Sequence, residues 1–137
     1  MKKIWVNGTF DVLHIGHINL LNFANSLGIV RVGIDSDERV TKLKGKSRPY
    51  NNISNRKLFL ESLKFVDSVV VFNDENDLEN KILDWESNII VIGSDYKNKK
   101  IIGSNIVEEI IYFERIKEYS TSDILSYDKN INNWRSL

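Results

Sequence analysis

Residues 4–34 read IWVNGTFDVLHIGHINLLNFANSLGIVRVGI, two β-branched runs on either side of a longer stretch. In IWVN (4–7) and IVRVGI (29–34) the apolar residues are nearly continuous, as in strands covered on both faces. Between them HINLLNFANSLG spaces its apolar residues for a helix, and Gly28 is placed to stop it. A strand, a helix and a second strand following so closely predict a βαβ unit, and hence a parallel sheet.

The alternation continues along the chain. Further strand-like runs are SVVVF (68–72), NIIVIG (88–93) and IIYFE (110–114), with helical segments ISNRKLFLESLKFV (53–66) and DLENKILDWES (77–87) between them. Ile53, Leu58, Leu60, Leu63 and Val66 mark the apolar face of the first segment. The pattern predicts an α/β chain: a single doubly wound, Rossmann-like domain with a five-stranded parallel sheet and right-handed crossovers. We place that domain at residues 1–126 and a C-terminal tail at 127–137, YDKNINNWRSL, which is polar apart from Ile131, Trp134 and Leu137. The sole proline, Pro49, lies in KGKSRPYNN (44–52), which reads as an exposed loop inside the domain.

Composition narrows the function. The chain has 137 residues, 42% of them hydrophobic, enough for one shared core. Nineteen basic residues balance nineteen acidic ones, so no global field draws the chain to nucleic acid or to an anionic membrane. Any anion site must then be a local cluster. The absence of cysteine excludes disulfides and thiolate metal sites, and two histidines alone make a poor zinc shell. MKKIWVNG lacks an apolar stretch of signal-peptide length and no run approaches a membrane span, so a cytoplasmic protein is expected.

Both of those histidines, His14 and His17, stand in GTFDVLHIGH, just past the carboxyl end of the first predicted strand. Open α/β sheets bind ligands beyond such strand ends. Gly8 and Gly16 allow tight turns and close approach of a flat ligand, while histidines three apart at a helix start project together beside the positive helix end. That arrangement suits a polyphosphate. An imidazole donating to a phosphoryl oxygen gains strength as charge builds in the transition state, without transferring a proton itself. The blander reading is that one ring caps the helix and the other fills a polar niche.

GTFDVLHIGHINLL resembles the HxGH-signature nucleotidyltransferase superfamily, in its cytidylyltransferase-like branch. KLKGKSRPYNNISNRKLFLESLKFVDSVVVF (42–72) and IIVIGSDYKNKKIIGSN (89–105) are most similar to the adenylyltransferase domain of bacterial ADP-heptose synthases, and less so to glycerol-3-phosphate cytidylyltransferases. The resemblance spans residues 4–125. It implies an enzyme that joins a nucleoside triphosphate to a phosphorylated sugar or polyol with release of pyrophosphate, assisted by magnesium. ATP with a sugar phosphate such as heptose 1-phosphate, for surface-polysaccharide precursors, is the first expectation. CTP with glycerol 3-phosphate is the second, and an idle nucleotide-binding module is the rival from another class. Relatives of this size also imply a homodimer, in which Trp134 and its apolar neighbours find cover.

By the same resemblance His14, His17 and Lys44 are the catalytic set. Gly8, Thr9, Phe10, Gly16, Gly93, Asp95, Ser120 and Thr121 contact the nucleotide. Asp11, Asp37, Lys46, Arg48, Arg56 and Arg115 face the phosphorylated substrate. Asp11 is the candidate magnesium ligand, directly or through water, although the resemblance implies a metal held largely by the phosphates. Gly45-Lys46-Ser47 does not make a P-loop, because Val40 stands where its first glycine is required. The stretch from Lys44 to Arg48 reads instead as a basic lid. Asp95 follows the strand NIIVIG and reaches the rim of the same crevice, or else caps a turn there. Ser120 and Asp123 form a capping-box-like start for a last helix, where Ser120 and Thr121 supply hydroxyls to a triphosphate.

Overall fold

The computed structural model describes residues 1–114. Five strands, β1 (Lys3–Gly8), β2 (Ile29–Asp35), β3 (Ser68–Phe72), β4 (Ile89–Gly93) and β5 (Glu109–Phe113), form one sheet, with every paired strand parallel and the order β3-β2-β1-β4-β5. Each predicted strand is present to within a residue or so. The order reverses between β1 and β4, so a crevice opens at their carboxyl ends. Among the described residues no helix is long and apolar enough to cross a membrane.

Apolar residues cover both faces of the sheet, as the continuous strand runs require. On one face Ile4, Val6, Val30, Val32, Ile34 and Val91 pack with Leu20, Leu21 and Ala24 of α1 (Ile15–Leu27) and with Leu60 of α3 (Ile53–Glu61). On the other, Trp5, Phe72 and Ile90 pack with Leu78 and Ile82 of α4 (Glu75–Asp84) and with Ile101. Gly28 ends α1 where the chain passes against β1. A Cβ there would lie 2.1 Å from the Lys2 carbonyl oxygen, which accepts the Ile29 N–H, so only glycine fits.

Two expectations need correction. Residues 37–44 form a helix, α2 (Asp37–Lys44), a stretch for which the pattern predicts no element beyond Lys44 as the first residue of the loop. Only Val40 of α2 is buried, so hydrophobic periodicity is faint. Its signals are at the ends: Ser36 accepts the Arg39 N–H, Asp37 and Glu38 stand in the first turn, and Lys42 and Lys44 stand in the last. Secondly, α3 ends at Glu61, short of Val66, and Leu58 is exposed, whereas Ile53, Leu63 and Val66 pack on the core from either side.

Candidate active site

A cleft of about 490 Å³ lies beyond the carboxyl ends of β1, β2 and β4, at the point where the strand order reverses. Of the residues expected in a site, Gly8, Thr9, Phe10, Gly16, His17, Lys44 and Gly93 line it. Residues from two strands, two helices and the loop after β1, far apart in sequence, thus meet in one cavity, whereas His14 is not among its lining residues.

The histidine pair is set by helix-end chemistry. His14 is the N-cap of α1, its Nδ1 accepting the Gly16 N–H at 3.1 Å. His17, at the third helical position, accepts the His14 N–H on its own Nδ1 at 3.2 Å. This is a reciprocal capping box built from two imidazoles instead of a hydroxyl and a carboxylate. A neutral ring whose Nδ1 accepts carries its hydrogen on Nε2, so the box selects the Nε2–H tautomer of both rings. The rings lie 3.8 Å apart, centroid to centroid, and Phe10 packs on His17 at 5.0 Å. The capping reading is the one observed, and the cap fixes where each Nε2 stands. The Gly16 and His17 N–H groups, expected to await an anion, are bonded to His14.

Phe10 has φ of 49°, a left-handed conformation unusual for an aromatic residue. Its ring is buried and folds back over Gly8, where a Cβ would lie 3.1 Å from it. Phe10 thus shapes the cleft from the core. Asn7, which the sequence reading missed, lines the cleft, and its Oδ1 accepts the Trp5 Nε1–H at 3.0 Å.

Asp11, Arg56 and Arg48 are not where the resemblance puts them. Asp11 is 1% exposed, and its carboxylate accepts from Arg48 Nε at 2.9 Å and from the Tyr50 and Asn51 N–H groups at 2.8 Å each. Burial alone would push its carboxyl up, but these three donors outweigh it and hold the group below its ordinary value. Its oxygens are committed to the protein, so Asp11 does not fit a magnesium ligand. Among the described residues no three histidine, aspartate or glutamate side chains converge on a cation site. Arg48 is turned onto Asp11, which confines any lid to the exposed residues Gly45–Ser47, with Lys46 among them.

Arg56 is fully buried. Its Nη1 donates to the Thr9 and Asp35 carbonyls, its Nε to the Asn51 carbonyl and its Nη2 to Asp37 Oδ1 at 2.6 Å. Asp37 also accepts the Ile53 N–H, so both residues brace the loops from below instead of facing a substrate. Asp95 is exposed on the short 3₁₀ turn Ser94–Tyr96, and Tyr96 lines the cleft in its place. The N-cap of that turn is Gly93, and Asp95 stands within it. Arg115, Ser120, Thr121 and the tail with Trp134 lie outside the described residues.

Asp11→Asn should lower the unfolding free energy by about 3 kcal/mol, because it strips the charge from a buried pair and points an amide at existing donors. Denaturant titration measures this. The folded carboxyl holds its proton less tightly than the unfolded one, so its contribution is complete above pH 3.8 and fades as pH falls further. The wild type should lose its advantage over the variant only in that acid range.

Fold and site together define a doubly wound α/β domain with a cleft at its first strand-to-helix turn. Residues 5–131 match the cytidylyltransferase-like family, and the chain belongs to it; it is a nucleotidyltransferase domain. It is 42% identical over 125 residues to the bifunctional protein HldE of Helicobacter hepaticus, covering 90% of this chain and 26% of that protein. It is 39% identical over 133 residues to the bifunctional protein HldE of Campylobacter concisus, covering 96% and 28%. The chain therefore spans about a quarter of the length of the curated relatives it matches. A lipopolysaccharide core biosynthesis protein from Thermoplasma volcanium has a similar crystal structure, with a TM-score of 0.70 and 25% identity over 85% of this chain and 98% of that one.

Proposed function

We propose that the chain transfers a nucleotidyl group from ATP to a sugar phosphate such as heptose 1-phosphate, in the cytoplasmic synthesis of surface-polysaccharide precursors. An oxygen of the acceptor phosphate attacks the α-phosphorus in line. The bond from that phosphorus to the bridging oxygen of the β-phosphate breaks, and pyrophosphate leaves. The observation that carries this reading is the imidazole box where β1 turns into α1, which sets the His17 ring on the cleft wall with the ring of His14 packed 3.8 Å behind it, centroid to centroid. Donors held in place before the reaction favour the charge that develops on phosphoryl oxygens. Lys44, at the last residue of α2, adds a cation on the cleft wall. No side chain is required as a nucleophile.

Magnesium belongs to this reading as the triphosphate's own counterion, in keeping with its preference for phosphates and water over all-protein cages. The likeness to the HldE proteins and to a lipopolysaccharide core protein supports the sugar-phosphate acceptor.

The test is a panel of the four nucleoside triphosphates against heptose 1-phosphate, other sugar 1-phosphates and glycerol 3-phosphate, scored by pyrophosphate release. Release from ATP with heptose 1-phosphate is expected. Release only from CTP with glycerol 3-phosphate moves the assignment to a polyol cytidylyltransferase. Nucleotide binding without release from any pair makes the domain a binding module.

A further inference from the structure

The two halves of the cleft differ in chemistry. Over β4 it is lined by Gly93, Tyr96, Ile101 and Ile102, with Lys100 the one charged residue among them, a largely apolar and aromatic wall suited to a base. Over β2 and β3 it is lined by Asp35, Arg39 and Glu75 above the ring of Phe72, a wall of donors and acceptors. The phosphate chemistry at Gly8, Gly16 and His17 lies between them. The second half therefore suits the part of the acceptor that is not phosphate, its hydroxylated body.

Arg39 is the most firmly placed donor there. Its Nε donates to Asp35 Oδ1 at 2.7 Å, and the Thr9 hydroxyl donates to Asp35 Oδ2 at 3.2 Å. The guanidinium lies over Phe72, its carbon 5.6 Å from the ring centroid. The pair is nearly enclosed, with 19% of the Arg39 side chain and 11% of the Asp35 side chain exposed. Neither terminal nitrogen of Arg39 donates to a described residue, although the side chain lines the cleft. An arginine fixed at Nε and along its flat face presents a pre-set fork of N–H groups. Asp35 offsets its charge, so the fork suits neutral hydroxyls better than a dianion, whereas Lys44 and His17 stand elsewhere on the cleft wall.

We propose that Arg39, clamped by Asp35 and laid over Phe72, selects the acceptor by donating its terminal N–H groups to hydroxyls of the sugar or polyol body. The proposal rests on the nucleotidyltransferase reading above and adds the residue that sets acceptor choice. A site built to bond hydroxyls discriminates against a ligand lacking them, because its donors then face apolar ligand surface in place of water. Through Asp35 and Thr9 the same clamp is tied to the loop that carries the histidines.

Calorimetric binding to the intact chain tests it, with ADP against ADP-heptose and CDP against CDP-glycerol as probes. Wild type is expected to bind ADP-heptose at least about tenfold more tightly than ADP. Arg39→Ala should lose that increment while its affinity for ADP is unchanged, which also shows that the variant is folded. In turnover its KM for heptose 1-phosphate should rise while its KM for ATP stays constant. Arg39→Lys, which keeps the charge without the fork, should lose most of the increment too. An increment that survives in Arg39→Ala overturns the proposal while leaving the transferase reading intact. Equal loss of ADP affinity also overturns it, because Arg39 would then serve the nucleotide. If wild type shows the increment only for CDP-glycerol over CDP, the heptose reading fails, and loss or survival of that increment in Arg39→Ala supports or overturns the role of Arg39.

Discussion

Arg56→Met is expected to lower the unfolding free energy by about 4 kcal/mol, a large fraction of what holds a domain of this size together. The guanidinium is fully buried and serves four oxygens on four segments: Thr9 after β1, Asp35 at the end of β2, Asp37 in α2 and Asn51 before α3. Methionine fills similar space and donates to none of them. Three backbone carbonyls and a carboxylate oxygen then lose their partner, at about 1–3 kcal/mol for each that water does not reach. Arg56→Lys keeps the charge beside Asp37 but not the fork, and should still lose about 2 kcal/mol. Denaturant midpoints measure both variants. A variant as stable as wild type with a raised acceptor KM would instead return Arg56 to the substrate surface.

The second large effect is on catalysis. His14→Asn and His17→Gln should each lower kcat at least about a hundredfold, the cost of removing one pre-placed donor to a developing phosphoryl charge. These replacements are chosen from the capping box. Asparagine is among the best N-cap residues, and glutamine at the third helical position reaches back to the N-cap N–H. Helix α1 therefore keeps its start while the imidazole is lost, and stability should change by less than about 1 kcal/mol. Alanine at position 14 would add the loss of the cap to the loss of the ring. Because the rings touch, the double variant should fall by less than the product of the single losses. Steady-state turnover beside thermal unfolding separates the two effects, and near-normal kcat in either folded variant would refute the role.

What the sequence by itself determined is what neighbouring residues settle among themselves. The alternation of β-branched runs and helical spacing depends on residues within a few positions, so all five strands and three of the helices were legible. The spacing of His14 and His17 is equally local. Three residues at a helix start put two side chains on one face in any fold, and the glycines beside them mark the tight approach. Helix α2 escaped because one buried residue gives no periodicity, although Ser36 and the charges at its ends were there to be read.

The tertiary structure decided which distant segments meet. Strand order sets Gly93 near Gly8, and nothing in either run states that β4 and not β3 lies beside β1. The fate of each charged side chain was decided the same way. Asp11, Asp37 and Arg56 carry the same charges as substrate-binding residues, yet Asp11 captures residues 48–51 and Arg56 joins four segments beneath the cleft. Arg39, on a helix that the sequence reading did not place, stands in the cleft. The reason is physical. Periodicity records which face of an element is apolar, whereas the partner of a buried charge is chosen by chain lying some 20–50 residues away, where desolvation makes any geometry but a fully bonded one costly.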